Sequence, residues 1–525
     1  MPPRGLGHAG LGRATRPRVA RAYDLAVSTS SAAPRTVRRA AIANLGCKVN
    51  QSEMDAVERL LRERGVELVG VHEAADLVVI NTCTVTSVAD GKSRQAVRRA
   101  RRTSPDARIL VTGCSVAIDP ESLAAADPLA ALFDNDSKGR LMAELAGLLE
   151  LAAGRPMPTL SGVERVEPVE PSLGRAFDLE ADEDSMEPDF DDRADIDRTR
   201  AFVKIQDGCS FHCTYCIIPR ARGPERSIPA GEVVSEIERA TAAGHREAVL
   251  TGINAGTYDD SGLSLAGLVR RILAETQVER IRLSSIEPQH VTPELLDVWA
   301  GSGGRCLPHF HIPLQSGDDT ILRRMGRRYD TAFYRELVAR VRRALPGAAV
   351  HADLIVGFPG EDDESWARTA TLLRELDLAG VHVFRYSARP GTPAARMVGQ
   401  VDARMKKRRA AEALSIAAEA RARFAQRQLG RELRVLFEKP LPDGRWLGHA
   451  ESHVLVDAGV APGVPLAPGG LAAGESLARA IGLVRAYSID PAAPDRIVGR
   501  LLSVVPPVTA PTAPANEPLA ESALK

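Results

Sequence analysis

No stretch of the 525 residues approaches the roughly 18–20 consecutive apolar residues that a bilayer-spanning helix needs, and the sequence gives no reason to expect a membrane partner. Net charge is missing too. Sixty-eight Lys and Arg balance 68 Asp and Glu, which by itself argues neither for nor against a nucleic-acid partner. Cysteines are few and odd in number, seven in all, and the N-terminal residues lack the apolar core of a secretory signal. A scattered, odd set of thiols in a long chain argues against a disulfide framework and for a reducing compartment, the cytoplasm. No internal repeat is apparent. The length exceeds what one core organises, so two to four domains are expected, and 44% hydrophobic with 26% charged residues is a globular composition.

Charge is present but unevenly placed. Asp178 to Asp197 holds eleven acids and one arginine, so the rest of the chain carries an excess of about ten positive charges. Basic clusters fall at Lys92–Arg102, Arg323–Arg328 and Arg404–Arg409. Each, taken alone, is most simply a solvated helix face.

Strand and helix patterns alternate from residue 38. "RRAAIANLG", "ADLVVINTC" and "ARILVTGC" read as strands, with amphipathic helices between them, which predicts a parallel α/β sheet over 38–154. Residues 1–37 read as a disordered basic tail and 155–198 as an acidic, Pro-rich linker. From Ala201 six further strands alternate with helices: "AFVKIQD", "EAVLTGIN", "RIRLSSIE", "HFHIPLQ", "AVHADLIVGF" and "GVHVFRYS". This predicts a complete or partial (β/α) barrel over 199–429, with functional residues at the strands' C-terminal ends. Short strands with turn residues predict a small β-barrel over 430–505, and residues 506–525 read as a disordered tail. The fold class expected is α/β, with a small β-barrel at the C-terminal end.

The strongest local signal is "CSFHCTYC", Cys209–Cys216, which follows the first barrel strand. Three thiols in a CxxxCxxC loop suit a 4Fe-4S cluster with one iron left open, since soft thiolates select such clusters. Structural zinc and inert thiols are the alternatives, and zinc lacks a fourth ligand of suitable spacing. The spacing, with Tyr215 just before the third cysteine, resembles the radical S-adenosylmethionine (SAM) superfamily. That resemblance implies a partial (β/α)6 barrel and an open iron that chelates SAM. Other strand ends match by position. "LTGIN" places Thr251, Gly252 and Asn254 where the superfamily meets the SAM amine, without the acidic residue usual in that motif. "SSIEP" offers Ser285 and Glu287 to the SAM carboxylate or ribose, "HIPLQSG" offers Gln315, and "DLIVGFPGE" offers Gly357 for close backbone approach.

Each of the first domain's cysteines, Cys47, Cys83 and Cys114, sits at the C-terminal end of an expected strand, "IANLGC", "LVVINTC" or "ILVTGC". In a parallel sheet these ends share one edge. A lone cysteine is usually a small buried hydrophobe. Three at equivalent positions suggest a second open cluster, while Cys306, without such partners, keeps the plain reading.

Two three-cysteine sets, an α/β domain before the barrel and a small β-barrel after it resemble the radical SAM methylthiotransferase family. Its order is a methylthiotransferase N-terminal domain, a radical SAM domain and a TRAM domain, and the resemblance covers roughly residues 38–505. Within it, "NLGCKVNQ" and "CTYCIIPRARG" look most like the MtaB-type branch, which acts on N6-threonylcarbamoyladenosine in tRNA. The isopentenyladenosine branch usually starts "GCQMN"-like, and the branch modifying a ribosomal-protein aspartate "GCPKN". The resemblance implies two 4Fe-4S clusters and two SAM molecules. One SAM methylates a sulfur held on the N-terminal cluster. The other generates a radical at the barrel cluster that activates C2 of the base. It also implies a tRNA anticodon loop as substrate, an electron donor such as flavodoxin or ferredoxin, and a monomer. Arg220, Arg222 and the basic clusters are expected to hold phosphates. A radical SAM enzyme acting on a protein side chain and a non-catalytic iron–sulfur RNA-binding protein are the other classes open.

Overall fold

The computed structural model describes residues 37–152, 199–460 and 476–507. The expected basic tail, acidic linker and C-terminal tail fall, but for a residue or two at their edges, outside the described residues.

The first sheet runs β1 (Arg39–Asn44), β2 (Glu67–Val69), β3 (Leu77–Thr82), β4 (Arg108–Gly113) and β5 (Ala131–Phe133). All pairs are parallel and the order is β2-β1-β3-β4-β5. The sequence pattern marks β1, β3 and β4. β2 and β5 have three residues each, too few for a period to show. Every residue of β3 is buried, as a central parallel strand covered on both faces should be. Helix α1 (Lys48–Glu63) lays Met54, Val57 and Leu61 on one face of the sheet together with α5 (Lys138–Ala152). Helix α2 (Ser87–Thr103) covers the other face through Val97 and Ala100. Strand order reverses between β1 and β3, the switch point where such folds open a crevice. The register Thr82↔Gly113 sets the next residues, Cys83 and Cys114, side by side. Cys114 itself opens the short helix α3 (Cys114–Ile118), and α4 (Pro120–Ala126) follows.

Six parallel strands form the second unit in chain order: Ala201–Lys204, Glu247–Thr251, Arg280–Leu283, His309–His311, Ala349–Val356 and Gly380–Arg385. They make two three-stranded sheets joined by bridges at Ile281–Cys306 and Ser285–His311. The first and last strands do not pair among the described residues, so the barrel is partial. The first domain spans that gap. α1 meets the first strand through Glu53 and Lys204 (3.0 Å), and α2 meets the chain after the sixth strand through Asp90 and Arg389 (2.5 Å).

Alternation along the strands separates core from lumen. Val350, Ala352, Leu354 and Val356 join the helix-facing core with Ile281, Leu283 and Phe310. Their neighbours Arg280, Arg282, His309, His311, His351 and Asp353 point the other way, so this lumen is lined with charge and imidazole. The C-terminal strands, Glu432–Pro440, Trp446–His449, Leu455–Val460, Ile481–Asp490 and Ala493–Val505, close into a five-stranded barrel. The sequence pattern suggests a single strand over 444–458. The chain instead turns back at His453, whose φ is 66°. This barrel forms the floor of the lumen: Arg280 donates to the Arg434 and His449 carbonyls (3.0 and 3.3 Å) and Arg282 to that of Glu451 (3.2 Å).

Six of the eleven histidines gather here. Ring centroids lie 4.7 Å apart for His309–His351, 4.8 Å for His309–His453, 4.5 Å for His449–His453 and 5.0 Å for His311–His382. Burial, reinforced by neighbouring cations and imidazoles, holds His309, His351 and His453 well below the ordinary histidine range, so they are neutral. A depressed folded-state value means that the unfolded chain binds more protons below about pH 6.5, and stability falls as pH falls, by up to about 1.4 kcal/mol per pH unit per histidine. Neither ring nitrogen of His309 has a partner, so His309→Phe sacrifices no hydrogen bond. The unfolding midpoint should drop between pH 7 and 5 in the parent protein and drop less in the variant; parallel pH curves for the two would rule this origin out.

Candidate active site

The three N-terminal thiols converge on the crevice. Cys83 lies in the electrostatic field of Cys114 and Cys47, and Cys47 in that of Cys114. Cys83 and Cys114 are buried, whereas Cys47 is open to solvent. Burial pushes the Cys83 thiol up to about 12. A metal bound here would hold these sulfurs as thiolates.

A short helix, α6 (Ile218–Arg222), leads from the barrel cysteine loop to this crevice. Its last residue, Arg222, is fully buried. Arg222 Nε donates to Cys114 Sγ (3.3 Å), Nη2 to Asn50 Oδ1 (2.7 Å), and Nη1 to Glu53 Oε1 (3.2 Å) and Asp207 Oδ1 (2.9 Å). Asn135 Nδ2 faces Cys114 Sγ at 3.7 Å and donates to the Ala221 carbonyl at 2.7 Å. Lys204 adds bonds to Glu53 (3.0 Å) and Asp207 (2.6 Å), and Lys138 binds Glu53. Burial opposes the Glu53 charge, yet Lys138, Arg222 and Lys204 hold its carboxyl well below the ordinary range. Three cations against two carboxylates leave an excess of positive charge beside the thiols. The expectation that Arg222 holds phosphate is corrected: it is sealed between the two units. Arg220 stays exposed.

The barrel thiols form the second set. Cys216 lies in the field of Cys213 and Cys209, and burial pushes it up to about 12. Burial raises Cys209 as well. Gly326, with φ +75°, lets the loop pass, since a Cβ there would stand 3.0 Å from the His212 carbonyl. Arg327 is buried and donates to Cys213 Sγ (3.2 Å) and Tyr215 Oη (3.3 Å), and it pairs with Glu287. Burial raises the Tyr215 phenol well above its ordinary value. Arg327 belongs to the Arg323–Arg328 cluster, so that cluster is no plain solvated face. Arg409 corrects the Arg404–Arg409 reading in the same way, buried on Glu361 at 2.9 Å.

The other strand-end residues fall around these thiols in different states. Asn254 is buried with both amide atoms unpaired, and its amide is turned towards the Cys209 sulfur. Gln315 adopts φ 66° and buries Oε1 without a partner. A strained residue with an orphaned acceptor at a strand end is a ligand-facing feature. Thr251 is buried, and Gly252 packs so closely on Gln206 that a Cβ would stand 3.0 Å from its Oε1. The Ser285 hydroxyl is engaged by His311 Nδ1 (3.1 Å) and Glu287 by Arg327. At Gly357, φ +71°, a Cβ would meet Lys406 Cγ at 2.3 Å. The glycine is therefore required by packing within the chain, independently of any ligand. Cys306 is buried in the barrel core, as its isolation in sequence suggests.

Pattern reading passes over Lys48 and the lumen set. His311 Nε2 and His382 Nδ1 meet Asp353 Oδ1 at 2.8 and 3.2 Å. Alternate-position histidines in "HFH", "HAD" and "VHV" were the available signal. Lys48, at the start of α1, is solvent-accessible, yet burial lowers it to about 8, with Arg200 and Arg282 adding to the effect.

A radical SAM superfamily model matches residues 203–373, and the model of uncharacterized protein family UPF0004 matches residues 39–134. The threonylcarbamoyladenosine tRNA methylthiotransferase MtaB of Bacillus subtilis strain 168 is 36% identical over 419 residues, covering 78% of this chain and 88% of that protein. The chain belongs to the radical SAM methylthiotransferase family. The MtaB of Aquifex aeolicus strain VF5 is 32% identical, covering 76% of this chain and 92% of its own. A tRNA-2-methylthio-N(6)-dimethylallyladenosine synthase of Maricaulis maris strain MCS10 is also 32% identical, over 77% and 88%. Membership makes this an enzyme and implies SAM and a 4Fe-4S cluster. The residues fit both. Cys209, Cys213 and Cys216 are a three-thiol donor set. The unpaired buried atoms of Asn254, Gln315 and Ser284 are groups that stay costly until a ligand takes them. No helix among the described residues is long and apolar enough to cross a membrane.

Proposed function

We propose that this methylthiotransferase adds a methylthio group to C2 of N6-threonylcarbamoyladenosine beside the tRNA anticodon. The observation that carries the reading is the second thiol set, Cys47, Cys83 and Cys114, whose Cys114 is held by Arg222 on the helix that follows the barrel cysteine loop. We assign a 4Fe-4S cluster to each set, and the working units to residues 38–154, 199–429 and 430–505. When loaded, the barrel site supplies a SAM-derived radical and the N-terminal site an open iron for sulfur, chemistry that side chains alone lack. Tyr215, Thr251, Gly252, Asn254, Ser285, Glu287, Gln315 and Gly357 line the SAM side. Arg327 neutralises charge at Cys213 and positions Glu287.

The choice of threonylcarbamoyladenosine is supported by "GCKVNQ" and by the names of the MtaB relatives. An anticodon loop presents the unpaired, splayed bases that proteins read in RNA. The exposed Arg98, Arg102 and Arg220 give phosphate contacts that weaken with salt. The enzyme would work in the cytoplasm as a monomer fed by flavodoxin or ferredoxin.

The test is nucleoside mass spectrometry of tRNA from a strain lacking the gene. Threonylcarbamoyladenosine should persist while its 2-methylthio derivative disappears. The parent gene should restore the derivative and a Cys213→Ala gene should not. Loss of the methylthio group from isopentenyladenosine instead would overturn the assignment in favour of the other tRNA branch.

A further inference from the structure

We propose that the barrel lumen carries a divalent transition-metal site, made by His311 Nε2, Asp353 Oδ1 and His382 Nδ1. The site contains no cysteine, and it does not depend on which nucleoside the enzyme modifies.

The backbone places the three ligands. They stand on the fourth, fifth and sixth barrel strands, which are neighbours in one parallel sheet. Asp353 is the register partner of His382. His311 is the partner of His351, which lies two residues before Asp353 on the same strand. Side chains two apart on a strand share a face, so all three project into the lumen. Ligands on strands are held more precisely than ligands on loops.

The distances suit an ion. His311 Nε2 and His382 Nδ1 lie 2.8 and 3.2 Å from the same carboxylate oxygen, Asp353 Oδ1. The three ligand atoms all lie within 4.8 Å of one another. Atoms that share an ion at about 2.0–2.2 Å stand roughly 3–3.5 Å apart. The two imidazoles meet edge to face, at 87° with centroids 5.0 Å apart.

The surroundings supply an outer partner and an entrance. Ser285 Oγ lies 3.1 Å from His311 Nδ1. A metal-binding histidine almost always donates its other ring N–H to such a group, which fixes the tautomer. With Nδ1–H donating to Ser285, Nε2 turns its lone pair on Asp353 Oδ1. Two acceptors then face each other at 2.8 Å, and a cation between them reconciles the contact. His382 is the open side: its side chain is 58% exposed, against 11% for that of His311. An ion therefore has a way in. Arg280 and Arg282 of the lumen floor are each held by Glu247 at 2.7 Å.

The ligand set names the class of ion. Two imidazoles and one carboxylate favour zinc or iron(II) over magnesium and calcium, which take oxygen ligands. Three protein ligands leave a position for water, or for an oxygen donor on a molecule entering the lumen. That is the pattern of reactive rather than structural zinc sites.

The rival is a plain hydrogen-bonded triad, in which both imidazoles donate to Asp353 and no metal binds. To separate the two, the reconstituted full-length enzyme, its thiols occupied by clusters, is equilibrated anaerobically with Zn2+ and desalted. Zinc and iron per chain are then measured together. The parent enzyme should retain about one zinc more than Asp353→Asn or His382→Phe, with iron at about eight in all three. His382→Phe changes an exposed ring, so it keeps the comparison available if Asp353→Asn folds poorly. Ser285→Ala should weaken zinc binding about 10–100-fold, the usual effect of removing an outer partner. X-ray absorption at the zinc edge should show nitrogen and oxygen neighbours at about 2.0–2.1 Å and no sulfur at about 2.3 Å. A parent enzyme that retains no zinc would overturn the proposal in favour of the hydrogen-bonded triad. Equal zinc in the parent and both variants, or sulfur around the zinc, would overturn it in favour of the thiols.

Discussion

Cys47→Ala should cut iron after anaerobic reconstitution from about eight to about four per chain, the difference of one 4Fe-4S cluster. Methylthio transfer should fall to background, while SAM cleavage to 5′-deoxyadenosine continues. The separation follows from geometry. Cys47 shares its field with Cys83 and Cys114, whereas Cys209, Cys213 and Cys216 sit on a loop of the other unit. Cys213→Ala should do the converse, abolishing SAM cleavage and leaving about four irons. Cys306→Ala should keep about eight irons, because Cys306 is a core residue of the barrel. Iron content unchanged in Cys47→Ala would remove the N-terminal cluster from the account.

The second large effect is expected at Arg222. Arg222→Met removes the guanidinium donor from Asn50 Oδ1 and Cys114 Sγ, leaving them the Cys47 thiol (3.3 Å) and Asn135 Nδ2 (3.7 Å), and takes one cation from a buried set. Breaking a buried ion pair typically costs about 3–5 kcal/mol. Lys138 and Lys204 remain on Glu53 and Asp207, so the lower end, about 3 kcal/mol, is expected in the unfolding free energy. The N-terminal iron should be lost preferentially, since the excess positive charge beside Cys114 disappears with the guanidinium. Arg222→Lys keeps the charge but not the fork geometry and should fall between. Iron content and unfolding midpoint matching the parent protein in Arg222→Met would show that the network does not support the thiols.

Legibility of this molecule in its sequence follows the range of the interactions. The thiol sets were readable because β1, β3 and β4 are apolar runs ending at Cys47, Cys83 and Cys114, and strand ends in a parallel sheet share an edge. The same logic found the radical barrel and its strand-end residues. The buried arginines were not readable. Arg222 and Arg327 lie in basic surroundings that look solvated, and what buries them is carboxylates such as Glu53 and Glu287, far away in sequence. Gly357 carries a second demand that the turn motif does not show: the space a Cβ would need is taken by Lys406, 49 positions later. β2 and β5 escaped because three residues carry no period. The turn at His453 escaped because a histidine at positive φ gives no turn signal of the kind glycine gives.

The central claim is that two thiol sets act together on one tRNA nucleoside. Its most direct test incubates the reconstituted enzyme with SAM, a sulfide source, a reductant and tRNA bearing N6-threonylcarbamoyladenosine, followed by nucleoside mass spectrometry. The account predicts the 2-methylthio derivative with the parent enzyme, and none with Cys47→Ala even though that variant still cleaves SAM. Methylthiolation by Cys47→Ala at the parent level would contradict it.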